Sequence, residues 1–160
     1  GGVVMAIRLT INREKQVFHG DPRTSLLEVL RDTFRLTGAK DVCGEGFCGT
    51  CNVHINGEAL PACLRPIGML EGAEVTTIEG LSLMGTFNAV QAALEKHDVV
   101  QCGMCFPGLV MTMSKFFETN SNPSRAEIKS AMTGNLCRCT GYELIVDALA
   151  SIADERGLVQ

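Results

Sequence analysis

Residues 41–51 read Asp41-Val42-Cys43-Gly44-Glu45-Gly46-Phe47-Cys48-Gly49-Thr50-Cys51, and the N-terminal half of the chain is organised around them. Three thiols stand at x4 and x2 spacing among Gly44, Gly46, Gly49 and Thr50, which have little or no side chain. A fourth, Cys63, follows after eleven residues. Crowded thiols in a glycine-rich loop point to a metal-holding cradle more than to cross-links.

Working outward, Met5 to Ile11 alternates apolar and polar side chains, as a half-buried strand does. Asn12-Arg13-Glu14-Lys15 reads as a turn, and Gln16 to His19 can pair back. Asp21-Pro22 breaks the pattern. Thr24 or Ser25 can then cap a helix, SLLEVLRDTF, whose Leu26, Leu27, Leu30 and Phe34 fall at helical spacing and which Gly38 is expected to end. Beyond the loop, Asn52 to Ile55 and Glu58 to Cys63 flank an Asn56-Gly57 turn, a two-residue hairpin signal. That hairpin returns Cys63 toward the loop. One more strand is expected within Leu70 to Thr77.

After Gly80 the period changes to that of helices: Thr86 to Lys96, Pro107 to Glu118, Ser124 to Met132 and Glu143 to Glu155. Ser124 and Glu127 form a capping-box pattern, and Pro107 stands where a first helical turn tolerates proline. A domain boundary is expected near residues 79–86, dividing the chain into 1–80 and 81–160. The expected fold class is α+β: strands around one helix, then an all-α four-helix bundle.

The helical half has its own four thiols, Cys102 and Cys105 before one helix and Cys137 and Cys139 before another. Helix N-termini present free N–H groups and positive dipole ends, which favour an anionic ligand set. Gly103, Gly134 and Gly141 can let amides approach sulfur. The eight cysteines thus divide into two sets of four with none left over. C-x4-C-x2-C followed by a distant Cys is the plant-type [2Fe-2S] spacing. Two zinc sites would also use eight thiols, but structural zinc favours paired knuckles, which C-x4-C-x2-C and C-x-C match poorly.

The remaining composition limits the rest. An apolar fraction of 46% with 20% charged residues over 160 residues is ordinary for a globular protein. A net charge of −4, without a basic run of more than two residues, argues against nucleic acid or an anionic membrane surface as partner. No window has the length of apolar sequence that a membrane-spanning helix needs. Gly1 to Met5 lacks the features of a secretory signal, so a cytoplasmic location is expected. His19, His54 and His97 show no mutual metal spacing. Met104, Met111, Met113 and Met132 are expected in the helical core or facing a partner, and Asn135 and Tyr142 are expected to order the cysteine turn.

On CGEGFCGTC with Cys63, QCGMCFPG at 101–108 and GNLCRCTGY at 134–142, the sequence resembles the small iron–sulfur subunit of the xanthine oxidase family of molybdenum hydroxylases. The resemblance covers nearly the whole chain. It implies a β-grasp ferredoxin-like domain whose Cys43, Cys48, Cys51 and Cys63 hold one [2Fe-2S] cluster. A helical domain would hold a second on Cys102, Cys105, Cys137 and Cys139. It further implies that Gln101 contacts a molybdopterin held by a large partner subunit and that Cys139 lies beside the pterin. FAD would sit on a medium-sized partner subunit. The implied function is electron relay within an oxidoreductase acting on an N-heterocycle, purine, aldehyde or CO, with no turnover by this chain alone. A free-standing two-cluster ferredoxin is the rival reading.

Overall fold

A computed structural model describes residues 3–82 and 88–157. Strand β1 (Met5–Ile11) buries Ile7, Leu9 and Ile11 on one face, and β2 (Glu14–Gly20) pairs with it antiparallel from Ile11↔Glu14 to Met5↔Gly20. The turn is shorter than its sequence suggests. Asn12 and Arg13 both take left-handed backbone, with φ 50° and 70°, so two residues suffice and Glu14 and Lys15 join the strand. Such turns match the twist of the paired strands.

Ser25 caps α1 (Leu26–Glu28), its hydroxyl accepting the Glu28 N–H at 3.2 Å, and the helix widens into a π turn over Val29–Thr33. Leu26, Leu27 and Leu30 face the sheet, and each fully buried leucine contributes about 1.5–3 kcal/mol. Gly38 does not end this helix. Arg35 takes the left-handed position, with φ 58°, and the Leu36 N–H reaches back to the Leu30 carbonyl at 2.8 Å. Gly38 instead passes beneath Ile78, and its N–H donates to Glu79 Oε2 at 3.0 Å.

The second hairpin, β3 (Asn52–Ile55) and β4 (Glu58–Pro61), turns at Asn56-Gly57 with φ 49° and 84°. Strand β4 stops at Pro61 rather than Cys63, and a tight 3₁₀ turn over Ala62–Leu64 carries Cys63 back toward the loop. Strand β5 (Glu74–Thr76) is shorter than the 70–77 window, because Ile67–Met69 forms another 3₁₀ turn and Gly72 is left-handed. It runs parallel to β1 and antiparallel to β3, giving a mixed sheet of order β2-β1-β5-β3-β4.

A short helix α2 (Ile78–Leu81) leads out of the sheet, followed by α3 (Ala89–Lys96), α4 (Phe106–Thr119), α5 (Arg125–Ala131) and α6 (Glu143–Gly157). Thr86 and Phe87, the expected start of the first of these long helices, lie outside the described residues, as do Gly1 and Gly2. Asn88 caps α3 through a capping box with Gln91, and Ser124 and Glu127 do the same for α5. Two apolar cores result, one around Ile7, Leu30, Val53 and Ile67, the other around Leu109, Met113, Ile128 and Leu149. Met111, Met113 and Met132 are buried, whereas Met104 is not and lines a cavity beside the second thiol set. No helix among the described residues is long and apolar enough to cross a membrane.

The two halves meet along a polar seam. Buried His54 Nε2 lies 2.7 Å from the Met111 carbonyl oxygen of α4, and Asn52 Nδ2 donates to Thr112 Oγ1 at 2.9 Å. His54 is thus a satisfied structural histidine; His19 and His97 are exposed.

Candidate iron–sulfur centres

The first thiol set is built by the loop between the π turn and β3. Gly44, Gly46 and Gly49 are all left-handed, with φ 67°, 70° and 73°, and this turns successive N–H groups inward. The Glu45, Phe47 and Cys48 amides donate to Cys43 Sγ at 3.4 Å, and the Gly46 amide donates to Cys63 Sγ at 3.2 Å. These donors, led by the Glu45 amide, bring the Cys43 thiol down to about 7. Burial pushes Cys51 up to about 12. Thr50 is more than a small residue: its hydroxyl lies 3.1 Å from both Cys48 Sγ and the Lys40 carbonyl oxygen.

The second set comes from two loops. Cys105 is the N-cap of α4, with Pro107 in the first turn, and burial pushes its thiol up to about 12. Cys137 and Cys139 do not stand at a helix N-terminus, since α6 begins at Glu143. Their loop is held by Tyr142, which takes left-handed backbone with φ 71° and whose hydroxyl accepts the Cys137 N–H at 2.9 Å. Thr140 Oγ1 donates to Cys137 Sγ at 3.1 Å. Burial raises Cys137, but the Thr140 hydroxyl and nearby amides outweigh it and the net shift is downward. The Met104 amide lowers Cys102, and the adjacent Cys102 raises Cys139. Gly103 and Gly141 are left-handed as the sulfur-approach argument requires, whereas Gly134 is not. Asn135 is buried, and its Oδ1 accepts at 3.1 Å from Thr112 Oγ1, the hydroxyl that takes the Asn52 amide across the seam.

All eight predicted thiols are therefore brought into two groups, and within each they stand in pairs. Cys43 neighbours Cys48, Cys51 neighbours Cys63, Cys102 neighbours Cys139 and Cys105 neighbours Cys137. Among the described residues no three His, Cys, Asp or Glu side chains gather as a single metal ion would require. Pairs of thiols suit a diiron group held by four thiolates, and inward N–H groups suit its negative charge. The residues present thus fit two [2Fe-2S] clusters. A cavity of about 330 Å³ lies at the second set, lined by Cys102, Cys105, Cys137 and Cys139, and reaches Val42, Cys48 and Thr50 of the first loop. Gln101, Cys102 and Cys139 are exposed, so the second set opens outward on that face. Phe47, in the first loop, is 71% exposed. The sequence reading missed the two threonine hydroxyls. Thr50 inside the C-x2-C of the first set and Thr140 directly after the C-x-C of the second were the available signal.

Comparison with known proteins agrees with this geometry. The 2Fe-2S iron-sulfur cluster binding domain family matches residues 9–77, and the [2Fe-2S] binding domain family matches residues 77–150. The chain is 37% identical over 152 residues to the nicotinate dehydrogenase small FeS subunit of Eubacterium barkeri, covering 95% of this chain and 96% of that one. It is 38% identical over 150 residues to the caffeine dehydrogenase subunit gamma of Pseudomonas sp. (strain CBB1), covering 92% and 90%. The crystal structure of quinoline 2-oxidoreductase from Pseudomonas putida 86 superposes with a TM-score of 0.89 at 39% identity, covering 97% of each chain. With a ferredoxin-like half, a helical half and one four-thiol set in each, the chain belongs to the small, electron-carrying iron–sulfur subunits of the xanthine oxidase family of molybdenum hydroxylases.

Proposed function

We propose that this chain carries electrons one at a time from a molybdopterin centre on a large partner subunit to an acceptor, FAD on a medium-sized subunit. Cys102, Cys105, Cys137 and Cys139 would hold the cluster nearer molybdenum, and Cys43, Cys48, Cys51 and Cys63 the one nearer the acceptor. When bound, each cluster supplies a one-electron redox centre, so two electrons released together can leave singly. The chain's own residues set the rest: thiolates bind, inward amides and the Thr140 hydroxyl stabilise charge on sulfur, and the seam fixes the spacing. The division is into residues 1–80 and 81–160, the latter acting as a four-helix-bundle cluster domain.

The observation that carries this reading is that Cys48 of the first set lines one cavity with all four thiols of the second, where Gln101, Cys102 and Cys139 are exposed. Exposure there suits Gln101 and Cys139 to contact a cofactor held by another chain. An N-heterocycle, purines included, is the favoured substrate class over an aldehyde or CO, because the relatives matched over nearly their whole length are named for nicotinate, nicotine, caffeine and quinoline, whereas those named for aldehydes are longer chains. The site of action is the cytoplasm.

Mild affinity purification of the tagged chain from its source, with Fe, Mo and flavin analysis, tests the assembly. Copurification of a molybdenum-containing large subunit and a flavin-containing subunit is expected. Turnover of a heterocycle by the isolated chain, or recovery of the chain alone with both clusters, would contradict the division of labour. Within the assembled enzyme, Gln101→Ala is expected to lower activity or molybdopterin occupancy; full retention of both would remove Gln101 from the proposed contact.

A further inference from the structure

The two thiol sets are bridged by a backbone hydrogen bond. The Cys48 carbonyl accepts the Leu136 N–H at 2.9 Å. Cys48 belongs to the first set, and Leu136 immediately precedes Cys137 of the second. This approach depends on missing side chains. A Cβ at Gly49 would overlap the Gly134 carbonyl oxygen, and a Cβ at Gly108, in the first turn of α4, would overlap the Gly49 carbonyl oxygen. Asn135, only 4% exposed, completes the clamp through Thr112, which in turn takes the Asn52 amide.

We propose that Gly49, Gly108 and Asn135 are positioning residues that set the spacing of the two thiol sets and hold the Cys48 carbonyl on the Leu136 N–H as the electronic link between them. The inference rests on the reading of the chain as a two-cluster relay. Electronic coupling through protein decays more steeply across a van der Waals gap than along covalent and hydrogen bonds. A single hydrogen bond joining a ligand of one set to the neighbour of a ligand of the other is therefore a favoured route. From Cys48 Sγ the route follows that residue's own bonds to its carbonyl, crosses to Leu136 N, and continues along the chain to Cys137 Sγ. One electron leaves one centre and enters the other; no bond is made or broken, and no proton needs to cross.

The test uses the assembled enzyme with wild-type, Gly108→Ala and Asn135→Ala chains. Iron and sulfide content, magnetic interaction between the two reduced centres by EPR, hydrogen exchange at the Leu136 amide and the rate of transfer between the centres are measured. Both variants are expected to keep full iron while the magnetic splitting weakens, Leu136 exchanges faster and transfer slows severalfold. Unchanged splitting, exchange and transfer in variants that retain both centres would overturn the proposal. Should Gly108→Ala lose a cluster, Asn135→Ala, which adds no bulk, decides between the same two results. Absence of a second cluster in the wild-type enzyme would defeat the relay reading itself, a result distinct from unaltered coupling in the variants.

Discussion

At the scale of single residues, a threonine stands beside a sulfur of each set, but only Thr140 donates its proton to it; the Thr50 proton goes to the Lys40 carbonyl. Thr50 places a hydroxyl 3.1 Å from Cys48 Sγ, and Thr140 places one 3.1 Å from Cys137 Sγ. Hydrogen bonds to ligand sulfur favour the more reduced, more negative cluster and so raise its potential. Thr140→Val is expected to lower the midpoint of the second cluster alone, whereas Thr50→Val, which removes a hydroxyl whose proton goes to the Lys40 carbonyl, is expected to leave the first nearly unchanged, read by EPR-monitored redox titration. A shift in the wrong cluster, or none in Thr140→Val, would remove the Thr140 hydroxyl from this role. The thiols themselves differ before any metal binds. Cys43 is drawn to about 7 by inward amides, while burial pushes Cys51 to about 12. Because the thiolate is the nucleophile, alkylation of the cluster-free chain at pH 8 is expected to label Cys43 well before Cys51, with Cys43 labelling rising as pH passes through about 7. Peptide mass spectrometry checks the order. Thiol spacing marked out the two groups of cysteines that the fold gathers, but hydroxyl contacts arise only after the loops close, so residue type alone did not reveal them.

Among the elements, legibility followed how local the determinant is. The Asn56-Gly57 turn and the Ser124–Glu127 capping box are complete within four residues, and both form as read. Ser124→Ala removes the box and is expected to cost about 1 kcal/mol in thermal or denaturant unfolding without altering iron content. Gly38 shows the opposite case. Its spacing suggests a helix end, but the helix widens after Glu28 and Arg35 takes the left-handed position, leaving Gly38 to pack under Ile78, forty residues away in sequence. No local rule reports that contact. The loop bearing Cys137 is similar: Tyr142 holds the Cys137 amide from five residues downstream. Tyr142→Phe removes that acceptor at a cost of about 1–3 kcal/mol, because it leaves a partly buried N–H unpaired. Faster loss of iron from the second cluster than from the first is the expected accompaniment, followed by absorbance during chelator challenge.

For the whole molecule, the number of centres was legible and their arrangement was not. Eight cysteines in two sets of four specify two cradles, but the seam rests on pairs distant in sequence, such as His54 with Met111 and Asn52 with Thr112. Exposed ion pairs joining α5 to α6, Arg125 with Glu143 and Asp147 and Lys129 with Glu143, add little to holding it. The seam's polar bonds and close glycine contacts instead bring two separate apolar cores together, with Cys48 of the first set beside all four thiols of the second on one cavity. The central claim is that each set holds its own [2Fe-2S] cluster. Anaerobic purification with iron and acid-labile sulfide analysis, followed by EPR of the dithionite-reduced protein, tests it most directly. The expected result is two iron and two sulfide for each set of four thiols, with two distinguishable [2Fe-2S] signals of which Cys51→Ser abolishes one and Cys105→Ser the other. A colourless, zinc-loaded protein, or a single signal lost in both variants, would contradict it.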